Sequence, residues 1–131
     1  MLEKHFRASL IKELGKVGVF AVPIESATSP GFPDIVAANH SIALIECKII
    51  MSANSGRNFK MLFELNQLAF YHRWWRTGAN NLWCAVYERK HKKTYTFRMH
   101  PDHFKLTIKE MLAQVTPGST ARAAAFIGGN T

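Results

Sequence analysis

Two short segments near the middle of the chain carry charged residues within apolar sequence. Asp34 follows Pro33 at the start of one apolar segment, and Glu46 and Lys48 lie two residues apart in the next, in the run Ile45-Glu46-Cys47-Lys48. Charges inside an apolar hairpin are costly to desolvate unless they have partners. Carboxylate oxygens suit Mg²⁺ or Mn²⁺, and such a metal can activate water and stabilise charge on a phosphate. These residue types predict a metal-dependent site for phosphate chemistry, with Lys48 positioning the water or neutralising the transition state.

The hairpin between these segments decides whether Asp34 and Glu46 meet. The sequence predicts strands at 34–38 and 42–50 around Asn39-His40. A two-residue turn would pair residues whose numbers add up to 79, so that Asp34 would face Ile45 and Glu46 would point to the other side of the sheet. Convergence therefore requires an odd number of loop residues or a bulge near Asp34, and we expect one of them. The structural alternative is a Glu46–Lys48 ion pair at a sheet edge.

Two further side chains are candidates for the same site. Glu3 falls within the apolar arc of a predicted N-terminal helix and is expected to face the protein, and Glu13 lies near the edge of that arc. Gln67, on a second predicted helix, can reach a metal-bound water or a phosphate. Fraying of the first helical turn is the alternative for Glu3, and a hydrogen bond to a backbone group is the alternative for Gln67. Whether Glu3 or Glu13 completes the site stays open at this point.

The chain is strongly basic, with a formal net charge of +8 over 131 residues. A lysine-rich turn is most often only a solvated surface, but beside an acidic site the excess indicates a polyanion as the partner. DNA is the predicted partner, because cations that grip phosphates also make binding fall steeply with salt. The candidate DNA contacts are the cations outside the predicted core, namely Arg57, Lys60, Arg73, Lys90, Lys92 and Lys93.

The composition excludes other classes of protein. Apolar residues make up 47% of the chain, which is typical of a globular domain, and the apolar runs are far shorter than the roughly 20 residues that span a bilayer. The N-terminal segment is charged and lacks the apolar stretch of a signal peptide. Cys47 and Cys84 both lie in apolar runs and are expected to be reduced and buried. We therefore expect a cytoplasmic protein of a prokaryotic or phage-infected cell, without membrane partners.

The elements that must position the site follow from periodicity and from turn residues. The predicted order is α-β-β-β-α-β-β-α, with a helix at 2–17, strands at 19–24, 34–38 and 42–50, a helix at 60–77, strands at 82–87 and 94–98, and a third helix opened by Pro101. A strand, a helix and another strand after the hairpin imply a crossover and a mixed central β-sheet flanked by helices on both faces. Residues 25–32 are predicted to be a loop. Residues 1–115 are predicted to form a single domain, and residues 116–131 a loosely held, small-residue tail.

The segment Gly31-Phe32-Pro33-Asp34, followed by Glu46-Cys47-Lys48, resembles the motif of the PD-(D/E)XK nuclease superfamily. Within it, Glu3, the G-x-P-D and E-x-K segments, and Gln67 followed by Gly78 are similar to the VRR-NUC nucleases. The segments around Asp34 and Glu46 also resemble archaeal-type Holliday-junction resolvases. The likeness covers roughly residues 2–104 and implies a restriction-endonuclease-like α/β core of α-β-β-β-α-β type.

The resemblance also implies roles for individual residues. Asp34, Glu46 and the backbone carbonyl of Cys47 would bind Mg²⁺, for which Mn²⁺ can substitute, Lys48 would orient the attacking water, and Glu3 and Gln67 would complete the site. The expected activity is a metal-dependent, structure-selective DNA endonuclease of recombination or repair, most closely a homodimeric Holliday junction resolvase acting on branched DNA such as a four-way junction. The alternatives are a general repair or restriction-type nuclease, and a non-catalytic DNA-binding protein on the same fold.

Overall fold

The chain builds one β-sheet with helices on both faces, in a computed structural model that describes residues 1–24 and 30–131. The predicted loop at 25–32 lies outside the described residues from 25 to 29. The elements in chain order are α1 (Glu3–Lys16), β1 (Phe20–Pro23), β2 (Ile35–Ala38), β3 (Ile42–Ile50), α2 (Leu65–Arg76), β4 (Leu82–Glu88), β5 (Lys93–Arg98), α3 (Ile108–Leu112) and α4 (Thr120–Gly129). Short 3₁₀ turns precede α2 at Phe59–Leu62 and α3 at Pro101–Lys105.

The five strands lie in the order β1-β2-β3-β4-β5, so that β3 is central. The β3–β4 pair is parallel and is connected through α2, and the other three pairs are antiparallel. A parallel pair needs a crossover connection, which is the role that α2 fills. The mixed central sheet flanked by helices was predicted from the sequence and is confirmed.

The β2–β3 hairpin has the register that brings the two acids together. Ile35 pairs with Ile45 and Ala38 with Ile42, so paired residue numbers add up to 80 and the loop contains the three residues 39–41. The same register sets Asp34, which directly precedes β2, opposite Glu46. The irregularity predicted from the sequence is therefore an odd loop length, obtained by adding Ser41 to the expected Asn39-His40 turn.

Alternation along β3 divides its side chains between two buried layers. Leu44 belongs to a layer with Tyr71 of α2 and Leu82 of β4. Ile45 and Cys47 point the other way, into a second layer that also receives residues of α1 and α4. Glu46 and Lys48 lie on the Leu44 side, and a central strand buried on both faces explains why the sequence around them is almost wholly apolar.

The C-terminal residues form a packed helix, so the prediction of a loosely held tail at 116–131 is wrong. Ser119 caps α4 by accepting a hydrogen bond from the Arg122 N–H, and Ala123, Ala124 and Ile127 are buried. Gly128 lies so close to Val17 and Val19 that an added Cβ would be 3.2–3.3 Å from their methyl groups. Small residues therefore serve close packing here.

Two smaller predictions are also corrected or completed. The helix predicted from Pro101 is a 3₁₀ turn followed by the short α3, because Thr107 begins a new capping box with Glu110. Cys47 and Cys84 are free and buried, and burial raises the pKa of both thiols.

In the described part of the chain, none of the helices has the length and apolar character needed to cross a membrane.

Candidate active site

Asp34 is held at the mouth of the hairpin by contacts to both of its oxygens. Its Oδ2 accepts a hydrogen bond of 2.9 Å from the backbone N–H of Cys47, and Arg7 Nη1 of α1 lies 3.7 Å from its Oδ1. The first contact links the carboxylate to the central strand directly beside Glu46. The site therefore draws on β2, β3 and the first turns of α1.

Gly31 sets the path of the loop that leads to Asp34. Its φ of +86° is a conformation that favours glycine, and an added Cβ would lie 2.2 Å from the backbone oxygen of Asn66. The loop thus rests on the first turn of α2, with no room for a side chain at this crossing. The G-x-P-D segment therefore crosses the start of the helix that carries Gln67.

Glu46 is buried with only one of its two oxygens satisfied. Gln67 Nε2 donates to Glu46 Oε2 at 2.7 Å, and the Tyr71 hydroxyl donates to the same oxygen at 3.0 Å. Glu46 Oε1 is buried and receives no hydrogen bond from the described residues, and only a protonated Glu46 can bond to Asp34. Burial, followed by the hydrogen bond and the negative charge of Asp34, raises the pKa of Glu46 to about 9. A carboxyl in this state holds a proton at neutral pH and would give it up to a cation.

Gln67 joins the two charged residues of β3 to the start of α2. Its Oε1 accepts from the backbone N–H of Glu64 at 2.9 Å and from Lys48 Nζ at 3.2 Å, while its Nε2 is directed at Glu46. These partners fix the orientation of the amide, since one end faces only donors and the other an acceptor. The backbone contact considered for Gln67 is therefore present, and the same amide also contacts Glu46 and Lys48. A contact with a metal-bound water or a phosphate stays a prediction.

Lys48 is half-buried and aimed from β3 toward α2. Besides its contact with Gln67, its Nζ lies 5.2 Å from the centre of the Phe63 ring, within the range of a cation–π interaction. The ammonium group is thus held on the same side of the sheet as Glu46. A structural ion pair at a sheet edge is excluded for this pair, because β3 has a neighbouring strand on each side.

The structure separates the two glutamates of α1. Glu3 is the first residue of the helix and is exposed, yet loss of hydration raises the pKa of its carboxyl, and among the charged groups near it Lys48 lowers that pKa and Asp34 raises it. Glu3 therefore stands at the rim of the site rather than on the core face. Glu13 is paired with Lys16 at 3.1 Å near the other end of α1.

Tyr71 is a residue of this site that sequence reasoning did not assign to it. Its side chain is fully buried, and its hydroxyl donates to Glu46. Burial and the nearby Glu46 raise its pKa, so it acts as a hydrogen-bond donor. The available signal was spacing, since Gln67 and Tyr71 are four residues apart and share one face of α2.

The donor set fits a divalent cation that shares its coordination with other oxygens. In residues 1–24 and 30–131, His, Cys, Asp and Glu side chains do not gather in threes around a point that could hold a metal ion. Asp34 and Glu46 supply two carboxylates, and the Cys47 carbonyl would be a third oxygen. The buried Oε1 of Glu46, which no described residue supplies with a hydrogen bond, is the observation that favours a cation, because such an atom is costly without a partner.

The six cations predicted to contact DNA are all exposed and lie in three places. Arg57 and Lys60 precede α2, and Arg73 lies on α2. Lys90, Lys92 and Lys93 lie at the β4–β5 turn, Lys93 as the first residue of β5. The N–H of Lys90 donates to the Met51 carbonyl at 2.9 Å, which keeps this turn beside the end of β3. The β4–β5 turn therefore lies beside the end of the strand that carries Glu46 and Lys48.

The mixed five-stranded sheet, with an acid-acid-lysine set on its central hairpin, defines a restriction-endonuclease-like α/β fold. Among solved structures, the chain is similar to Hjc of Archaeoglobus fulgidus, a Holliday junction resolvase from an archaeal hyperthermophile. The two share 23% sequence identity with a TM-score of 0.51, over 84% of this chain and 98% of that one. At this identity the similarity establishes the fold alone. No protein-family model matches the sequence, and no curated protein matches it either.

Proposed function

We propose that this protein is a metal-dependent endonuclease that hydrolyses phosphodiester bonds in branched DNA, in the manner of a Holliday junction resolvase. The observation that carries the proposal is the buried Oε1 of Glu46, which receives no hydrogen bond from the described residues. Asp34 lies opposite Glu46 in the hairpin register, and Lys48 lies on the same side of β3. The fold shared with a Holliday junction resolvase supports the choice of substrate. The closer resemblance to VRR-NUC nucleases stays a prediction.

Each residue of the site has a proposed role. Asp34, Glu46 and the Cys47 carbonyl would hold the metal. When bound, Mg²⁺ or Mn²⁺ supplies a Lewis acid that favours ionisation of water and offsets the phosphate charge. Lys48 orients the attacking water and neutralises negative charge that develops on the phosphate. Gln67 and Tyr71 hold Glu46 Oε2 so that Oε1 stays directed into the site, and Glu3 adds a carboxylate at the rim. Preorganised groups of this kind are typically worth about 3 kcal/mol each.

The exposed cations provide the proposed DNA surface. Arg57, Lys60, Arg73 and the three lysines of the β4–β5 turn would contact phosphates, so that binding depends on backbone shape and charge rather than on base edges. Resolution of a four-way junction requires two cuts, and one chain of this size carries one site. A homodimer on branched DNA is therefore part of the proposal.

The test is cleavage of a labelled four-way junction with Mg²⁺ by the wild type and by Glu46→Gln. Glutamine keeps the shape of the side chain and can still accept from Tyr71, so the variant removes the ionisable ligand without opening a cavity. We expect paired, symmetric nicks from the wild type and at least a 100-fold loss of rate in the variant, with the same junction affinity. A linear duplex of the same sequence serves as the control substrate.

Each alternative function has its own result in this test. Equal cleavage of junction and linear duplex would contradict resolvase character and favour a general repair or restriction-type nuclease. Binding of the junction without cleavage by either protein would contradict nuclease activity and favour a DNA-binding role. Undiminished cleavage by Glu46→Gln would contradict the assignment of the site itself.

A further inference from the structure

A second concave surface lies beside the candidate active site and has no role in the proposed hydrolysis. This α2 cleft encloses about 540 Å³, a size typical of small-ligand sites. Pro30 forms one wall, and the other is formed by Thr77, directly after α2, and by the α2 residues Asn66, Ala69, Phe70, Arg73 and Trp74. Its combination of aromatic, cationic and amide groups distinguishes it from an ordinary gap between a loop and a helix.

Aromatic rings give the α2 cleft a rigid platform. The rings of Phe70 and Trp74 are nearly parallel, with centroids 5.7 Å apart and an interplanar angle of 14°, and Phe32 packs edge-on against Phe70 at 5.3 Å. Trp74 Nε1 donates to Asn81 Oδ1 at 2.9 Å, and Asn81 in turn donates to the Ile42 carbonyl. Both rings are only partly buried, so aromatic surface is held in place without being fully covered.

The polar groups of the cleft favour an anionic ligand that carries a flat ring. Arg73 is exposed at the cleft, while none of the described lining residues is acidic. Asn66 and Thr77 offer both hydrogen-bond donors and hydrogen-bond acceptors. A nucleotide combines these features, because its base stacks on aromatic side chains whatever its identity and its phosphate pairs with arginine.

The position of the cleft ties it to the strand that would be cut. Pro30 is four residues from Asp34, so the two are at most about 14 Å apart even along extended chain. Asn66 of the cleft directly precedes Gln67 of the site. The backbone of Asn66 packs against Gly31, which lies between Pro30 and Asp34 in the chain. Stacked nucleotides in one strand are about 3.4 Å apart, so the cleft lies within about four nucleotides of a phosphate bound at Asp34.

We infer that the α2 cleft binds a single nucleobase that has left the stack near the branch point, with Phe70 and Trp74 stacking on the base and Arg73 contacting its phosphate. The inference rests on the proposed function for its substrate and adds the structural feature that the protein recognises. It gives a branched DNA an advantage over linear duplex, because a base leaves the stack more easily where pairing is interrupted.

Filling the cleft is the sharpest test, since Phe70 and Trp74 also pack against the core. Ala69 is exposed and lines the cleft, and Ala69→Gln places a neutral side chain with good helix propensity there. Ala121→Gln makes the same exposed change on α4 and is the matched control. Binding to a four-way junction is measured by fluorescence anisotropy without divalent metal. The intact junction is compared with a series of junctions that each carry a single abasic site. Across the series, the abasic site occupies in turn each of the four nucleotides on either side of the branch.

The expected result is a dependence on one base that Ala69→Gln abolishes. Loss of a stacked base typically lowers affinity by roughly 5- to 150-fold, so the wild type and Ala121→Gln should lose at least about fivefold at one position. Ala69→Gln should bind the intact junction more weakly by a similar factor and be indifferent to the abasic site within about twofold. No penalty in the wild type, or an equal penalty in Ala69→Gln, would overturn the inference.

Two further measurements separate this inference from its competitors. If Ala69→Gln converts a dimer into a monomer in sedimentation experiments, the cleft is a subunit interface and the inference is wrong. Cleavage by the wild type with Mg²⁺ is measured on the same junctions. Base-dependent binding without cleavage would contradict the proposed nuclease and leave the base site standing, whereas cleavage without base dependence would overturn the base site alone. A wild type that binds no junction would overturn both.

Discussion

Two buried glutamates on the same face of the sheet, Glu46 of β3 and Glu88 of β4, have opposite chemical states. Each is only 1% exposed. Glu88 has partners on both oxygens, because the Ala53 N–H donates to its Oε2 at 2.5 Å and His91 Nδ1 lies 2.8 Å from its Oε1. Glu46 has two donors on one oxygen and none on the other among the described residues. The two glutamates are thus equally buried but differ in the hydrogen-bond partners of their carboxyl oxygens.

The pKa values follow the pairing rather than the burial. Desolvation opposes ionisation of Glu88, but the Ala53 hydrogen bond and His91 outweigh it and lower the pKa. At Glu46 burial and Asp34 together raise the pKa to about 9. A saturated carboxylate stabilises the fold by anchoring the 51–57 loop and the β4–β5 turn. A buried carboxyl group that has one oxygen without hydrogen bonds and lies beside a second acid has the character of an empty cation site.

The largest expected effect is the pH dependence of stability caused by Glu46. In metal-free buffer the folded state keeps a proton on Glu46 up to pH about 9, whereas an unfolded glutamate loses it near 4.5. The folded state therefore binds more protons between these values, and the free energy of unfolding falls as pH rises, by at most about 1.4 kcal/mol per pH unit. Urea unfolding from pH 5 to 9 should show this fall in the wild type and a flatter profile in Glu46→Gln. Parallel profiles would contradict the raised pKa.

Removal of the saturated carboxylate should have the next largest effect. Glu88→Ala breaks hydrogen bonds of a buried carboxylate to two partners and is expected to lower the free energy of unfolding at pH 7 by about 3 kcal/mol. Because the pKa of Glu88 is lowered in the folded state, its contribution is present above about pH 4.5 and should shrink as pH falls below that value. Glu46→Gln should be at least as stable as the wild type at pH 7. An equal loss in both variants would contradict the comparison.

Tyr71→Phe should weaken the site without unfolding the protein. The hydroxyl is the second donor to Glu46 Oε2, and changes in groups that orient metal ligands typically cost 10- to 100-fold in metal affinity or activity. Mn²⁺ binding, followed by electron paramagnetic resonance, is the measurement, with nicking of the junction as a second readout. Tyr87→Phe, whose ring packs on Phe6 in the other layer, is the control and should bind Mn²⁺ like the wild type.

The parts of the site that the sequence predicted are those that depend on local spacing. Asp34, Glu46 and Lys48 lie within one hairpin, so strand alternation alone sufficed to predict that their convergence needs an odd loop. For Gln67, position on a predicted helix left a site contact and a backbone contact open, and the resemblance to a known motif favoured the site. Tyr71 was not assigned to the site because its contact with Glu46 depends on how α2 is rotated over the sheet, which strand and helix periods do not specify.

Glu88 and α4 were missed because their partners are distant in sequence. The partner Ala53 of Glu88 comes from a loop 35 residues earlier, and without it a glutamate at the end of an apolar strand looks like an ordinary surface residue. The glycines and alanines of α4 do not form the apolar stripe by which an amphipathic helix is predicted. The available signal was Ser119 as a helix cap, followed by small or apolar residues at Ala123, Ala124 and Ile127. Packing against α1 supplies the stability that propensity lacks.

The smallest expected effect links Glu88 to the proposed DNA surface. Lys90 is exposed on the turn that Glu88 anchors, and it helps to lower the Glu88 pKa through its charge. If this turn contacts a phosphate, Lys90→Gln should weaken junction binding a few-fold and reduce the slope of log affinity against log salt by roughly 0.9, since one counterion fewer is released. Lys12→Gln, an exposed change in the middle of α1, should leave the slope unchanged.

The free energy of unfolding of Lys90→Gln should differ from that of the wild type by less than about 0.5 kcal/mol, because the Glu88 carboxylate keeps its two hydrogen-bonding partners. An unchanged salt slope with intact stability would remove the β4–β5 turn from the DNA surface and leave the buried Glu88 with a purely structural role.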